Sequence, residues 1–155
     1  TFNIAGLSTS VGIISDKKMR DALNDMIDKI HIGHGNIFGT VALEAAYTYG
    51  APWLDELMEY LQENLKLIEQ YTSQHLEGIE LVKPEGTYLA WLDCRALPIE
   101  NDRLNRFMIE EAGVGFNEGA SFGKNGAGFQ RLNFGCPRKT LQKVLDNMDH
   151  ALRNI

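Results

Sequence analysis

Phe129-Gln-Arg-Leu-Asn-Phe-Gly-Cys-Pro-Arg138 is the stretch from which the rest of the chain is read outward. Its first half, Phe129 to Asn133, reads as a short strand. Its second half turns through Gly135 into a helix expected to open at Pro137. Proline suits the first helical position, because the amide hydrogen it lacks would be unpaired there anyway. Arg131 is thereby expected inside an ordered element, behind the small-residue run Gly119-Ala-Ser-Phe-Gly-Lys-Asn-Gly-Ala-Gly128. A permanently charged guanidinium held on a strand is suited to fork onto a carboxylate. By spacing alone, an ion pair with one of the chain's 21 acidic residues is the simpler assignment.

Working outward from that segment, residues 137–153 read as a helix buried through Leu141, Val144, Leu145, Met148 and Leu152. Before it, residues 79–82, 87–92, 114–117 and 129–133 read as strands, with a helix over 101–112 between the second and third. Further back, a long helix from Trp53 to His75 carries a continuous apolar stripe of Leu54, Leu57, Met58, Leu61, Leu65, Ile68 and Tyr71. A shorter, nearly all-apolar helix over 40–49 implies burial or an interface with another chain. Ser15 or Asp16 caps a helix running to Ile30, and residues 11–14 read as a buried strand. The order, helical at first and then β-β-α-β-β-α, suits helices on one face of a small, largely antiparallel sheet.

The whole chain of 155 residues is long enough for one good core. Its net charge of −6, with acids and bases interspersed, gives no nucleic-acid footprint. No apolar run approaches the length of a membrane span. Cys94 and Cys136 are far apart, form no CxxC pair, and suit a reducing compartment with buried thiols. The chain opens Thr1-Phe2-Asn3 without an initiator Met, which reads as a cut edge of something larger.

Other candidate motifs are bland taken singly. His31 and His34 stand three apart, but Gly33 interrupts any helix between them and no further ligand lies nearby, so no metal is expected. The run Gly33-His-Gly35-Asn-Ile-Phe-Gly39 fails as a dinucleotide loop because a helix, not a strand, precedes it. Ser8, Thr9 and Ser10 read as turn hydroxyls. Lys124 in its glycine-rich tract lacks phosphate-loop spacing, and a mobile loop accounts for the tract equally well. Gly86 enters a strand and permits close approach by a ligand or a neighbour.

Taken in order, the segments are more specific. Thr1-Phe-Asn-Ile-Ala-Gly-Leu7, Ala45-Ala-Tyr47 with Gly50-Ala-Pro-Trp-Leu54, Gly86-Thr-Tyr-Leu-Ala-Trp-Leu-Asp93, Gly119-Ala-Ser-Phe-Gly123 and Arg131-Leu-Asn-Phe-Gly-Cys-Pro-Arg138 all occur. This resembles the C-terminal part of fold-type I pyridoxal-phosphate (PLP) enzymes, the class I/II aminotransferase superfamily, within its cystathionine β-lyase (cysteine C–S lyase) branch. The resemblance covers essentially all 155 residues.

It implies an α/β fold in which residues 1–50 end the large PLP-binding domain. Residues 51–155 would then form the linking helix and a small α+β domain. It implies a Schiff-base lysine immediately before Thr1, with no catalytic residue inside the chain. Arg131 would bind the substrate carboxylate, Tyr88 and Gly86 would line the substrate side, and Phe122 and Gly123 would belong to the loop at the site mouth. Ser8, standing where many aminotransferases carry an Arg, implies the lyase branch and a modest contact to the cofactor phosphate. Glu118-Gly119 replaces the family's frequent Pro-Gly.

The implied reaction is β-elimination from cystathionine or a related thioether, giving pyruvate, ammonia and a thiol. A cytoplasmic homodimer of the full-length protein is implied, with no nucleic-acid or membrane partner. The alternatives on the same scaffold are an aminotransferase and an aminotransferase-like effector domain of a transcription regulator.

Overall fold

The computed structural model describes residues 1–33 and 35–155. It contains two compact units, Thr1–Glu56 and Leu57–Ile155.

In the first unit, a 3₁₀ turn at Ala5–Leu7 precedes α1 (Lys17–Lys29) and α2 (Ile37–Tyr49). Helix α1 starts where expected, because the Asp16 carboxylate accepts the Met19 amide at 2.7 Å and satisfies an orphan donor. Helix α2 starts three residues earlier than its sequence suggests. Asn36 supplies the cap, accepting the Phe38 amide at 3.1 Å, and its own amide donates to the Leu7 carbonyl at 3.2 Å. The opening loop is thereby fastened to α2, and Thr9 closes over Gly39, where a Cβ would collide with its hydroxyl. Phe2 packs edge-on against Tyr47 at 5.2 Å and tilted against Trp53 at 6.3 Å. Residues 11–14 form no strand: no described segment offers a ladder partner, and Ile13 is almost fully exposed. Among the described residues of this unit only Gly39 is buried, although α2 is apolar nearly all round. A helix of that kind requires cover on every side.

Helix α3 (Ala51–His75) begins in the first unit and runs on into the second. There follow β1 (Glu80–Val82), β2 (Leu89–Asp93), α4 (Asn101–Glu110), β3 (Asn117–Glu118), β4 (Phe129–Asn133) and α5 (Arg138–Leu152). The four strands form one antiparallel sheet in the order β1-β2-β4-β3. Strands β2 and β4 alternate strictly, with Ala90, Leu92, Gln130 and Leu132 buried and their neighbours half-buried or exposed. That period of two turns one face toward a core completed by Ile68 of α3, Leu104 and Met108 of α4, and Leu141, Leu145 and Met148 of α5. Each such side chain stabilises the fold by about 1.5–3 kcal/mol through burial.

Two expectations need correction here. The strand over 114–117 shrinks to Asn117–Glu118, because the amides of Ala112 and Val114 close the end of α4 onto Phe107 and Met108. They are therefore not available to a ladder. Pro137 is the N-cap of α5 rather than its first residue, with extended geometry (φ −56°, ψ 136°). Proline offers no side-chain cap, and the Tyr60 hydroxyl of α3 accepts the Arg138 amide at 2.7 Å in its place.

Asn64, buried in the middle of α3, completes that joint. Its amide donates to the carbonyls of Phe134 at 3.0 Å and Cys136 at 3.1 Å, and its oxygen accepts Arg138 Nε at 3.2 Å. A buried amide is tolerated where its donors and acceptor all find partners.

Candidate active site

Arg131 occupies the centre of β4, directly opposite Trp91 on β2 and Asn117 on β3. Its neighbours Gln130 and Leu132 point into the core, so Arg131 stands on the sheet face away from the helices. Its Nη2 donates to the Asn117 side-chain oxygen at 2.9 Å. Its guanidinium carbon lies 4.5 Å from the centre of the Phe122 ring, a stacking distance for a cation on an aromatic face. Trp91 meets Phe122 edge-on at 5.7 Å and stacks on Phe129 at 5.6 Å, so three aromatic rings support the charge.

A second arginine on this face shows the contrast. Arg95 stacks on Phe129 at 4.7 Å and forks onto Asp93, with Nε–Oδ1 at 2.9 Å and Nη2–Oδ2 at 2.6 Å. The hydrogen bond to Arg95 holds the Asp93 carboxyl below the ordinary carboxylate range. Among the described residues no carboxylate pairs with Arg131, and its Nε is buried without a hydrogen-bond partner. The simple ion pair suggested by spacing is therefore absent among the described residues. What remains is a cation held in place without a carboxylate partner among the described residues, a charge suited to a substrate carboxylate.

Tyr88 precedes β2, and its carbonyl accepts the Phe134 amide at 2.9 Å just beyond the last ladder pair. Its ring lies beside Gly135, at 3.3 Å from where a Cβ would stand. Thr87 adopts a left-handed backbone (φ 66°), uncommon for a β-branched residue. Gly86 lines a cavity of about 260 Å³ with Met58, Leu61, Leu65, Pro84 and Phe134. No atom lies within 4 Å of a Cβ position at Gly86, so no protein neighbour makes the close approach that glycine permits. Gly86 and Tyr88 thus gather where β4 leaves the sheet. Among the described residues no hydrogen bond or ring contact joins either to Arg131.

Ser8 lies in the first unit, exposed and left-handed (φ 51°), and closes the 3₁₀ turn through its amide to Ala5. Thr9 turns its hydroxyl back to the Leu7 carbonyl at 3.1 Å, leaving Ser8 as the outward hydroxyl of the pair. His31 is exposed beyond α1, and His34 lies outside the described residues.

The glycine-rich tract, for which a mobile loop was one of two readings, is two 3₁₀ turns, Gly119–Phe122 and Lys124–Gly126. Gly119 and Gly126 are buried against one another, and a Cβ on either would collide with the other's carbonyl oxygen. Asn117 and Trp91 were not foreseen as site residues. The period-two pattern of β2 and β4 could have put Trp91 beside Arg131, but no local signal marks Asn117.

The described residues contain no helix long and apolar enough to cross a membrane. No family model matches the chain. The fold is that of the C-terminal portion of PLP-dependent aminotransferase-type structures: cystalysin from Treponema denticola, whose crystal structure contains pyridoxal 5'-phosphate, superposes with a TM-score of 0.93 at 31% identity. That match covers 99% of this chain and 39% of cystalysin. Within that class the chain matches the cystathionine β-lyase branch. It is 39% identical over 98% of its length to cystathionine β-lyase PatB of Bacillus subtilis and 37% identical over all of it to protein MalY of Escherichia coli. The chain spans about two-fifths of the length of these curated relatives.

Proposed function

We propose that this chain is part of a PLP-dependent C–S lyase that cleaves cystathionine or related cysteine thioethers by β-elimination, releasing pyruvate, ammonia and a thiol. The observation that carries the reading is Arg131, with Nε buried and unpartnered beside two ordered neighbours. The names of PatB and of the other cystathionine β-lyases that the chain resembles favour the lyase over an aminotransferase or a regulator domain.

In this reading Arg131 binds the substrate α-carboxylate and fixes the orientation of the Cα–H bond. Holding a reactant in one orientation removes translational and rotational freedom that would otherwise add to the barrier. Tyr88 and Gly86 line the substrate side. Ser8, an exposed hydroxyl on a left-handed turn, has the donor chemistry to meet a cofactor phosphate. PLP, when bound, supplies the electron sink for the carbanion at Cα. The base is the side chain of a lysine immediately before Thr1, which takes the Cα proton.

Residues 1–50 belong to the end of the large cofactor domain, and residues 51–155 make the linking helix and small domain. The full-length protein acts as a cytoplasmic homodimer on a small amino-acid substrate, with no nucleic-acid or membrane partner. The test is to supply purified full-length protein with PLP and L-cystathionine. Pyruvate and free thiol in equal amounts support the lyase. Amino transfer that needs an added keto acid and releases no thiol contradicts it.

A further inference from the structure

We propose that Phe122 is a positioning residue that sets the plane of the Arg131 guanidinium, so that the clamp accepts a carboxylate in-plane. This rests on the reading of Arg131 given above. Two contacts orient the guanidinium. Asn117 takes one hydrogen of Nη2 at 2.9 Å, and the guanidinium carbon lies over the Phe122 ring, 4.5 Å from its centre. One contact would leave the group free to rotate about it. Together they hold the guanidinium between the Asn117 oxygen and the Phe122 ring.

Phe122 can do this because its own position is fixed. Trp91, half-buried in β2, meets its ring edge-on at 5.7 Å and is itself stacked on Phe129. The turn carrying it is locked at its base by the mutual approach of Gly119 and Gly126, where no side chain fits. A ring that is 54% exposed would otherwise be mobile. Besides Trp91, the cation over its ring is the second partner of this half-exposed aromatic.

Arg95 and Arg131 both stack on an aromatic of the same sheet face, at 4.7 and 4.5 Å. Arg95 is closed by the Asp93 carboxylate, while among the described residues Arg131 donates to a neutral amide and pairs with no carboxylate. A neutral oxygen orients a guanidinium without cancelling its charge. A guanidinium whose charge is not cancelled suits a planar, bidentate anion such as the α-carboxylate of an amino acid.

The test uses the full-length protein with PLP and the variants Phe122→Leu, Phe122→Tyr, Arg131→Gln and the Phe122→Leu/Arg131→Gln pair. Two quantities are read: KM for L-cystathionine, and the inhibition constant of 3-(methylthio)propionate, a carboxylate that lacks the amine. Phe122→Leu is expected to raise both about three- to fivefold, the size of an exposed cation–aromatic contact, with kcat changing less. Phe122→Tyr keeps the ring face and restores both values, and in the pair Phe122→Leu adds nothing to Arg131→Gln. Equal effects of Leu and Tyr, no effect of Leu, or additivity in the pair would overturn the proposal. If Arg131→Gln alone moves neither constant, the reading of Arg131 itself fails and this inference with it.

Discussion

Arg131 and Asn117 face each other across the β4–β3 ladder, and the guanidinium donates to the amide oxygen at 2.9 Å. A neutral partner at that position is decisive for the clamp. An aspartate in its place would answer the charge from within the protein.

Asn117→Asp is therefore expected to impair substrate binding although it improves the local ion pair. Its carboxylate competes with that of the substrate, and KM for L-cystathionine should rise at least about tenfold, roughly 1.4 kcal/mol. The melting temperature should not fall. A variant with unchanged KM would show that Arg131 binds no substrate carboxylate.

Asn64 is the polar joint between α3 and the turn after β4. Asn64→Leu keeps similar bulk but leaves the Phe134 and Cys136 carbonyls without their donor. Stability in urea, followed by tryptophan fluorescence of the full-length protein, should drop by roughly 2–4 kcal/mol. A loss below about 1 kcal/mol would mean that water replaces the amide at little cost.

Thr87 lies at φ 66°, where a β-branched side chain is disfavoured. Its hydroxyl accepts the Leu89 amide at only 3.4 Å, a weak compensation. Thr87→Gly is expected to stabilise the protein by about 1 kcal/mol in the same urea titration. Destabilisation would show that the hydroxyl contact outweighs the backbone strain.

Tyr71 has its phenol pushed up to about 12, first by burial and then by its 2.7 Å hydrogen bond to the Asp146 carboxylate and by that residue's charge. A raised pKa means that the folded state keeps the proton longer than the unfolded state. Its contribution to stability is whole below about pH 10, the unfolded value, and is lost as pH rises toward 12. Tyr71→Phe should remove that alkaline decline, and tyrosinate absorbance should show one late-titrating phenol in the parent protein. An unaltered decline in the variant would assign it to other groups.

Much of the second unit was legible in the sequence because its signals are local and mutually consistent. The alternation of β4, the stripes of α3 and α5, and the polar breaks between them place most elements within a few residues. The misreadings fall where a tertiary partner decides. Val114 has strand chemistry, yet its amide closes α4 onto Met108. Pro137 looks like a first helical residue, yet Tyr60 provides the cap from 78 positions away. Residues 11–14 look buried, yet no described segment pairs with them.

The site was legible to a smaller degree. Arg131 stands out as a charged residue within a strand, but its lack of a carboxylate partner among the described residues is a property of the whole sheet face. Asn117 and the locked turn under Phe122 depend on strand register and on two glycines touching, which no short motif encodes.

The most direct measurement is kcat/KM for L-cystathionine in full-length protein carrying Arg131→Gln, alongside the parent. Loss of a charge-assisted hydrogen bond to substrate corresponds to about 2–3 kcal/mol. A fall of roughly 30- to 150-fold is therefore expected, with an unchanged melting temperature and cofactor absorbance and partial recovery in Arg131→Lys. A kcat/KM within twofold of the parent, with pyruvate and thiol still released, would contradict it.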